Sequence, residues 1–147
     1  MDANVAKSED LDVICALGEE LFPGHFYRSS TIRQIHFLFP SLFIVGRENG
    51  EPAGISLGVL AEDRTGHILA MGVKSKFQGQ GFGKQLLDSQ LTAFERKGIS
   101  VVSLTVAPEN RIAKRLYLSR GFVVVKLLQD FLGCGRHREL MMRKSGL

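Results

Sequence analysis

Three glycines alternate with other residues at Gly79, Gly81 and Gly83, in a stretch that reads Q-G-Q-G-F-G from Gln78. This stretch follows an apolar, strand-like run ending at Val73 and precedes an apolar periodicity typical of a helix. A helix N-terminus offers unpaired N–H groups and a partial positive charge, and glycines allow left-handed conformations in which successive N–H groups converge. We therefore expect this segment to bind an anionic group such as a phosphate.

The spacing of the glycines excludes two common phosphate-binding motifs. A P-loop requires Ser or Thr after its Gly-Lys pair, and here Gly83-Lys84 is followed by Gln85. The dinucleotide-binding fingerprint G-x-G-x-x-G does not fit either. The segment from Gln78 to Gly83 matches a third pattern, Q/R-x-x-G-x-G/A.

A second motif lies in the stretch APENRIAKRLYLSRGF, which has the spacing N-x-x-A-x-x-x-Y-x-x-x-G-F through Asn110, Ala113, Tyr117, Gly121 and Phe122. Asn110 and Tyr117 share one face of the predicted helix, because seven residues make about two helical turns. Together the two motifs resemble the acetyl-CoA-binding signature of the GNAT N-acetyltransferase superfamily. The resemblance covers residues 40 to 144 well, whereas the first two helices match only in placement.

The resemblance implies how acetyl-CoA would be held as a cosubstrate, with no metal. In this family the strand before the glycines diverges from the next strand, and its free main-chain groups hold the pantetheine arm. The pyrophosphate lies on the amides of the glycine segment, and the asparagine of the second motif reaches the cofactor from the other side. The implied cofactor-binding residues are Met71, Gly72, Val73, Gln78, Gly79, Gln80, Gly81, Phe82, Gly83, Lys84 and Asn110.

Tyr117 is the candidate general acid. Acyl transfer to an amine requires a neutral amine, stabilisation of the oxyanion and a proton for the leaving thiolate. A phenol with a pKa near 10 can protonate that thiolate, and we expect the backbone N–H of Val73 or Met71 to meet the oxyanion. The competing interpretation is that the Tyr117 ring only packs in the core of an amphipathic helix.

His67 is the candidate general base. Members of the family often carry a glutamate six residues before the position of Val73, and this chain has His67 there. Strand alternation predicts that His67, Leu69, Met71 and Val73 share one face, and an imidazole suits proton removal near neutral pH. The alternative is a solvated histidine at a strand end without a catalytic role.

Charged residues near the motifs supply further candidates. Glu62 and Asp63, at the end of the preceding strand, are the reserve general bases. Most of the basic side chains near the glycine segment are expected to form a solvated surface, while one or two contact the cofactor phosphates. These side chains are Lys74, Lys76, Lys84, Arg111, Lys114 and Arg115.

Apolar periodicity and turn signals predict the elements that position these residues. Helices are predicted from Ser8 to Phe22-Pro23-Gly24, from about Ser30 to Leu38, from the glycines to Lys97-Gly98, and over 110–121. Strands are predicted over 41–60 as a hairpin around Asn49-Gly50, then over 67–74, 100–106, 122–131 and 136–144. The expected fold is α/β, with a GNAT-like mixed, mostly antiparallel twisted sheet of six to seven strands flanked by four helices, in one domain over residues 1–147.

Composition favours a soluble globular domain. The chain has 147 residues, an apolar fraction of 44% and a net charge of +4 that is not clustered. No apolar run approaches the roughly 20 residues of a membrane span, and the N-terminus lacks a signal-peptide pattern. We therefore expect a cytoplasmic protein without a membrane partner. Cys15 and Cys134 lack metal-ligand spacing and are predicted to be reduced thiols.

Two segments bear on the acceptor. The Phe-rich segment that contains Phe26, Tyr27 and Phe37 is expected mainly to pack in the core and loops. It lies where the family places its acceptor-facing loop, so a place at the substrate entrance is the alternative for these three residues. The stretch LQDFLGCGRHRELMMRK resembles the closing hairpin of ribosomal-protein alanine N-acetyltransferases, but it has Arg136-His137 where relatives carry two acids. A cationic acceptor would meet like charge there. Peptides, and acceptors that bear a carboxylate or phosphate, both remain open.

We expect an N-acetyltransferase that transfers an acetyl group to a primary amine by direct attack on the thioester. The acceptor is a peptide N-terminus, a lysine or a small molecule. The alternative, if neither His67 nor Tyr117 has a catalytic role, is a non-catalytic module that binds or senses acyl-CoA. The mild, unclustered charge argues against a nucleic-acid partner, and the oligomeric state, monomer or homodimer, stays open.

Overall fold

The computed structural model describes residues 1–146. Its strands are β1 (Asp2–Val5), β2 (Phe43–Glu48), β3 (Glu51–Leu60), β4 (Gly66–Val73), β5 (Val101–Val106), β6 (Val123–Leu128) and β7 (Arg138–Lys144). Its α-helices are α1 (Leu11–Leu21), α2 (Ser29–Leu38), α3 (Phe82–Arg96) and α4 (Arg111–Ser119). The strands form one sheet in the order β1-β2-β3-β4-β5-β7-β6. Only β4 and β5 pair in parallel, and the other neighbours are antiparallel.

Turn residues fix the hairpin between β2 and β3. Asn49 and Gly50 both have positive φ, at 49° and 82°, which is the conformation of a two-residue turn whose twist matches that of the flanking strands. Gly98 ends α3 with a φ of 73°, because a left-handed residue just after a helix allows its last carbonyls to be satisfied.

The sheet separates two apolar cores. On one face, α3 and α4 pack over the sheet and bury a cluster that includes Leu86, Phe94, Phe122 and Met141. On the other face, α1 and α2 cover only part of the sheet and bury a second cluster around Ile14, Ile32, Phe43 and Ile55. We call these sides the α3/α4 face and the α1/α2 face.

A buried polar contact sets the position of α3 on the sheet. Gln90 is fully buried, and its Nε2 donates to the carbonyl of Leu42 at 3.1 Å. The Ser56 hydroxyl donates to Gln90 Oε1 at 2.6 Å. Because both ends of the Gln90 amide are paired, its burial carries no unsatisfied group.

The structure confirms the predicted fold class, including seven strands and four α-helices. Two details of the prediction are wrong. No strand was predicted at β1, where the short sequence DANV shows no apolar alternation and is held by pairing with β2. Ser8 does not cap an α-helix, because Ser8–Asp10 forms a 3₁₀ turn and α1 begins only at Leu11. Within residues 1–146, no helix is long and apolar enough to cross a membrane.

Candidate active site

The glycine segment links the end of β4 to the start of α3. A 3₁₀ turn over Ser75–Phe77 follows β4, and α3 starts at Phe82 with Gly81 as its N-cap. Gly79 and Gly81 have φ of 78° and 82°, and no atom lies within 4 Å of the position that a Cβ would take at either residue. Glycine is therefore favoured at these positions by the left-handed backbone and not by crowding.

The backbone amides of this segment are free to bind an anion. From Gly79 to Lys84, no N–H makes a well-formed hydrogen bond within residues 1–146, and the first bond of α3 runs from Gln85 N–H to the Gly81 carbonyl at 3.1 Å. Six consecutive donors therefore remain open at the positive end of a helix dipole. The segment is exposed except for Phe82, which is buried, and Gly83, which is partly buried.

The two glutamines hold the segment in place. The Gln78 N–H is already bonded to the Ser75 carbonyl at 3.2 Å, and its side-chain Nε2 donates to the Val73 carbonyl at 3.0 Å. Gln80 Nε2 donates to the Lys76 carbonyl at 3.2 Å. Gln78 thus links the 3₁₀ turn to the end of β4 through its hydrogen bonds, whereas the backbone N–H groups from Gly79 to Lys84 have no hydrogen-bond partner within residues 1–146.

Packing against α4 and the preceding turn fixes the first turn of α3. The ring centroids of Phe82 and Phe77 are 5.6 Å apart. A Cβ on Gly83 would lie 3.3 Å from Leu116 Cδ2, so the small residue allows α4 to approach the helix start closely. The two sequence motifs therefore meet at this contact.

Strands β4 and β5 diverge next to this segment. Their parallel pairing covers only Gly66–Ile68 against Val102–Leu104. The Lys74 N–H bonds to the Ala53 carbonyl at 2.8 Å, and bonded and non-bonded pairs alternate along an antiparallel ladder. The main-chain groups of Met71 and Val73 consequently point away from β3, into the gap beside β5. Gly72, between them, points its main-chain groups toward β3.

Tyr117, which follows Leu116 in α4, lies in the core of the α3/α4 face. Its side chain is 7% exposed, and its ring centroid is 5.8 Å from that of Phe122. Its hydroxyl makes no hydrogen bond within residues 1–146 and is not among the fully enclosed unpaired polar atoms of that range. Burial raises the pKa of Tyr117 to about 12, so the phenol keeps its proton throughout the neutral range.

Asn110 is the N-cap of α4. Its Oδ1 accepts a hydrogen bond from the Ala113 N–H at 3.2 Å, a typical capping contact. The side chain is exposed, and its Nδ2 makes no hydrogen bond within residues 1–146. The amide nitrogen therefore remains available to a ligand while the oxygen stabilises the helix.

His67 does not share a face with Met71 and Val73, and that prediction is wrong. The register of β3 and β4 shifts so that Leu57 pairs with Ala70 and Gly58 with Ile68, which makes Leu69 the extra residue of a β-bulge. Before the bulge, Ile68 packs on the α3/α4 face, and after it Met71 and Val73 do so. His67 therefore lies on the α1/α2 face, as Leu69 does.

The surroundings of His67 favour a neutral imidazole. The side chain is half-buried, and its Nδ1 lies 2.8 Å from Ser103 Oγ. Burial alone lowers the pKa of His67 below its ordinary value, with no carboxylate or cation contributing. A neutral imidazole near pH 7 has one nitrogen able to accept a proton.

The reserve bases lie in a turn between β3 and β4. The carboxylate of Asp63 accepts bonds from the Thr65 N–H at 3.0 Å and the Thr65 hydroxyl at 2.7 Å. These bonds lower the pKa of Asp63, and a lower pKa makes a carboxylate a weaker base. Glu62 is exposed in the same turn.

The basic residues divide into paired and unpaired groups. Lys74 pairs with Glu20 at 3.7 Å, Lys76 with Glu51 at 2.7 Å, and Lys114 with Glu139 at 2.7 Å. Within residues 1–146, no ion pair is formed by Lys84, Arg111 and Arg115. Lys84 and Arg115 adjoin the contact between Gly83 and Leu116 in sequence.

A cleft of about 400 Å³ lies between the end of α1 and the glycine segment. It is lined by Glu20, Leu21, Val73, Lys74, Ser75, Lys76 and Gln78. Its volume falls within the range of small-molecule binding clefts.

The segment after α1, which contains Phe26 and Tyr27, packs partly against α1. A Cβ on Gly18 would lie 2.0 Å from the ring of Phe26, so that ring occupies the space a side chain would need. Tyr27 packs edge-on against Phe26 with centroids 5.6 Å apart, and it stays 37% exposed. Phe37 is 82% exposed on α2, where it lines a surface depression with Arg33, Gln34 and Leu38.

The loop between β6 and β7 is held by its own polar groups. Asp130 has a φ of 52°, and its Oδ1 accepts the Gly135 N–H at 2.7 Å. The Asp130 N–H donates to His137 Nδ1 at 3.0 Å, and Arg136 Nη1 donates to the Leu132 carbonyl at 3.3 Å.

Within residues 1–146, no group of three or more His, Cys, Asp or Glu side chains is arranged to hold a metal ion.

Sequence reasoning missed Ser103 as a partner of His67. The two residues are 36 positions apart and meet only because β4 and β5 pair with His67 opposite Ser103. An alternating strand such as VVSLTV places a serine on one face but gives no register against its neighbour.

Comparisons with known proteins agree with this geometry. The profile of the acetyltransferase (GNAT) family matches residues 11–122. An uncharacterized N-acetyltransferase of Methanocaldococcus jannaschii is 30% identical over 140 residues, which cover 95% of this chain and 88% of that protein. A ribosomal protein bS18-alanine N-acetyltransferase of Haemophilus ducreyi is 34% identical over 64 residues, which cover 44% of each chain.

Solved structures share the whole fold. Ard1 from Thermoplasma volcanium superposes with a TM-score of 0.87 at 22% identity, covering 98% of this chain and 97% of that chain. The ribosomal-protein-S18-alanine N-acetyltransferase from Escherichia coli gives a TM-score of 0.85 at 18% identity, covering 99% and 94%. From the family profile and the archaeal relative, the chain belongs to the GNAT family of acetyltransferases and is an N-acetyltransferase.

Proposed function

We propose that this enzyme transfers an acetyl group from acetyl-CoA to a primary amine of a protein, peptide or small molecule by direct attack on the thioester. The observation that best supports acetyl-CoA as the cofactor is the run of six N–H groups from Gly79 to Lys84, at the start of α3, which make no hydrogen bond within residues 1–146. These donors lie beside the diverging ends of β4 and β5. A phosphate group and an extended chain attached to it fit this combination.

The pyrophosphate would lie on the amides of Gly79 through Lys84. An anion there gains both hydrogen bonds and the favourable field of the helix dipole. Lys84, Arg111 and Arg115 are the basic residues free to approach the phosphates, whereas Lys74, Lys76 and Lys114 already pair with carboxylates.

The pantetheine arm would run in the gap between β4 and β5. The main-chain N–H groups of Met71 and Val73 point into this gap, whereas the Val73 carbonyl is bonded to Gln78. The same N–H groups are suited to stabilise negative charge on the thioester oxygen. The Asn110 Nδ2 adds a donor from the α4 side.

Two proton carriers lie on opposite faces of the sheet. Tyr117 belongs to the α3/α4 face and is protonated at neutral pH, so it has a proton to give to a departing thiolate. Burial, which raises its pKa to about 12, makes it a weaker acid than a free phenol. His67 lies on the α1/α2 face and is kept neutral by burial, so it can accept the proton of an attacking amine, directly or through a water. In the tetrahedral intermediate the amine nitrogen and the thiolate sulfur are bonded to the same carbon, and we assign His67 to the nitrogen and Tyr117 to the sulfur.

For the acceptor, an α-amine at a peptide N-terminus is the first candidate. Related folds include a NatC complex bound to Gag peptide and CoA, and an Arabidopsis thaliana Naa50 in complex with a bisubstrate analogue. A small-molecule amine is the second candidate, because a mycothiol acetyltransferase of Streptomyces coelicolor is also a relative, 33% identical over 85 residues that cover 57% of this chain and 28% of that protein. Arg136 in the closing hairpin favours acceptors that carry a carboxylate or phosphate over polyamines.

An acceptor panel tests the proposal. The purified enzyme and acetyl-CoA would be incubated with peptides of varied first residue, with an N-terminally blocked peptide containing lysine, with free amino acids and phosphorylated amines, and with polyamines. Mass spectrometry would detect acetylated products, and Tyr117→Phe would serve as the reduced-activity comparison. Acetylation of one amine class in the presence of enzyme supports the proposal. Tight acetyl-CoA binding without acetylation of any amine would contradict it.

A further inference from the structure

Ser103 makes the closest polar contact to His67. The parallel register of β4 and β5 places the two residues directly opposite each other. Ser103 Oγ lies 2.8 Å from His67 Nδ1, and the same oxygen lies 3.4 Å from the Gly66 carbonyl. Both side chains are partly buried, so the contact is partly shielded from competing water.

A serine hydroxyl has one proton, which restricts how these contacts can be made. If Ser103 donates to the Gly66 carbonyl, Oγ is an acceptor toward His67 and Nδ1 must carry the imidazole proton. If Ser103 donates to Nδ1 instead, the contact with Gly66 is lost. The first arrangement keeps both contacts, the short one with His67 at 2.8 Å and the longer one with the Gly66 carbonyl at 3.4 Å.

We propose that Ser103 is a positioning residue that holds His67 as the Nδ1–H tautomer and leaves the Nε2 lone pair free to take a proton from the acceptor amine. This role rests on the proposed function. In that step Nε2 gains the amine proton and the ring becomes an imidazolium, while Nδ1 keeps its proton and its bond to Ser103. No covalent bond at Ser103 changes.

Within residues 1–146, the His67 ring hydrogen-bonds to the Ser103 hydroxyl and to no other group. On the other side of His67 the paired residue in β3 is Val59, which offers no side-chain partner. No charged group contributes to the lowered pKa of His67. Many catalytic histidines are oriented by a carboxylate, and here a neutral hydroxyl occupies the corresponding position.

Nitrogen NMR of the protein labelled with ¹⁵N-histidine tests the tautomer directly. The chain has four histidines, and His67→Gln would assign the His67 signals by their loss. At pH 8 we expect a protonated Nδ1 and an unprotonated Nε2 in the wild-type protein. We expect a mixture of tautomers in Ser103→Ala, and restoration in Ser103→Thr, which keeps the hydroxyl on a residue suited to a strand. A proton on Nε2 in the wild-type protein would overturn the proposal, and that result needs no variant to fold.

Kinetics on the best acceptor of the panel tests the positioning role. Ser103→Ala should lower kcat about five- to tenfold, which corresponds to the loss of about one hydrogen bond, and should leave the KM for acetyl-CoA unchanged. Ser103→Thr should recover most of this loss. An unchanged kcat in Ser103→Ala would refute the role. If no amine is acetylated, the proposed function fails, but the NMR result still decides whether Ser103 sets the tautomer.

Discussion

The glycine segment and the His67–Ser103 pair, to which we assign parts of one reaction, are built in different ways. The glycine segment uses consecutive residues, is mostly exposed and presents only backbone groups, and its shape follows from φ angles near 80° at Gly79 and Gly81. The His67–Ser103 pair uses side chains from two strands, is partly buried and exists only through the register of β4 and β5. Backbone sites of this kind depend on local conformation, whereas side-chain pairs depend on how distant strands align.

The largest effect is expected at Tyr117. This residue belongs to a contiguous motif, like the glycine segment, but its proposed role uses its side chain. Tyr117→Phe should lower kcat by roughly 10²- to 10⁴-fold, the usual contribution of a general acid. The Kd for acetyl-CoA, measured by calorimetry, should stay within about twofold of the wild-type value, because that binding uses backbone amides. Equal turnover in the two proteins would remove Tyr117 from the mechanism and leave it a core residue.

The next effect is expected at His67 and appears in the pH profile. Because burial lowers the pKa of His67, kcat/KM of the wild-type enzyme should rise with pH through a point below about 6.5 and be flat above it. His67→Gln should remove this ascending limb and lower kcat/KM at neutral pH by roughly 10²-fold. An identical limb in the variant would assign the titration to another group.

The same shift has a consequence for stability. The pKa of His67 is lower in the folded than in the unfolded state, so the unfolded state binds more protons as the pH falls. The folded state should therefore lose stability below about pH 6.5, and His67→Gln should reduce that loss. Thermal unfolding of both proteins between pH 5 and 8 measures this difference.

A smaller effect, confined to cofactor binding, is expected at the glycine segment. Gly81→Val forces a branched side chain into a left-handed conformation, at about 1–3 kcal/mol, and should raise the Kd for acetyl-CoA by roughly 10- to 100-fold. Gly50→Val is a matched control, because both glycines have a φ of 82° and open space around the Cβ position. Gly50 lies in the hairpin turn between β2 and β3, so this variant should lose comparable stability and keep the wild-type Kd. Equal Kd values in the two variants would contradict the assignment of the phosphate site.

The smallest effect on the site is expected from Ser56→Ala, which tests whether the glycine segment is set locally. The variant leaves the buried Gln90 Oε1 without its donor, so the free energy of unfolding should fall by about 1–3 kcal/mol. The Kd for acetyl-CoA should change less than about twofold. A tenfold change would show that the segment depends on the seating of α3 and would remove the contrast with the His67–Ser103 pair.

The same contrast explains what the sequence allowed us to predict. The glycine segment and the α4 motif were located correctly, because left-handed turns and helix caps impose local residue choices. The prediction of the sheet face on which His67 lies was wrong. The bulge at Leu69 arises from pairing with β3, and no local feature of the sequence indicates it. Ser103 was missed for the related reason that strand register is a property of the folded sheet. The assigned roles of Tyr117, His67 and the cofactor-binding residues stay predictions.

Thermal unfolding with and without acetyl-CoA tests the central claim most directly, with NAD and ATP as control ligands. A ligand that binds only the folded state at a hundredfold excess over its Kd adds about 2.7 kcal/mol to the free energy of unfolding. For a domain of this size, the midpoint should rise by about 5–10 °C. We predict that acetyl-CoA raises the midpoint by this amount and that neither control does. An unchanged midpoint with acetyl-CoA, or an equal rise with NAD or ATP, would contradict the assignment of the glycine segment to acetyl-CoA.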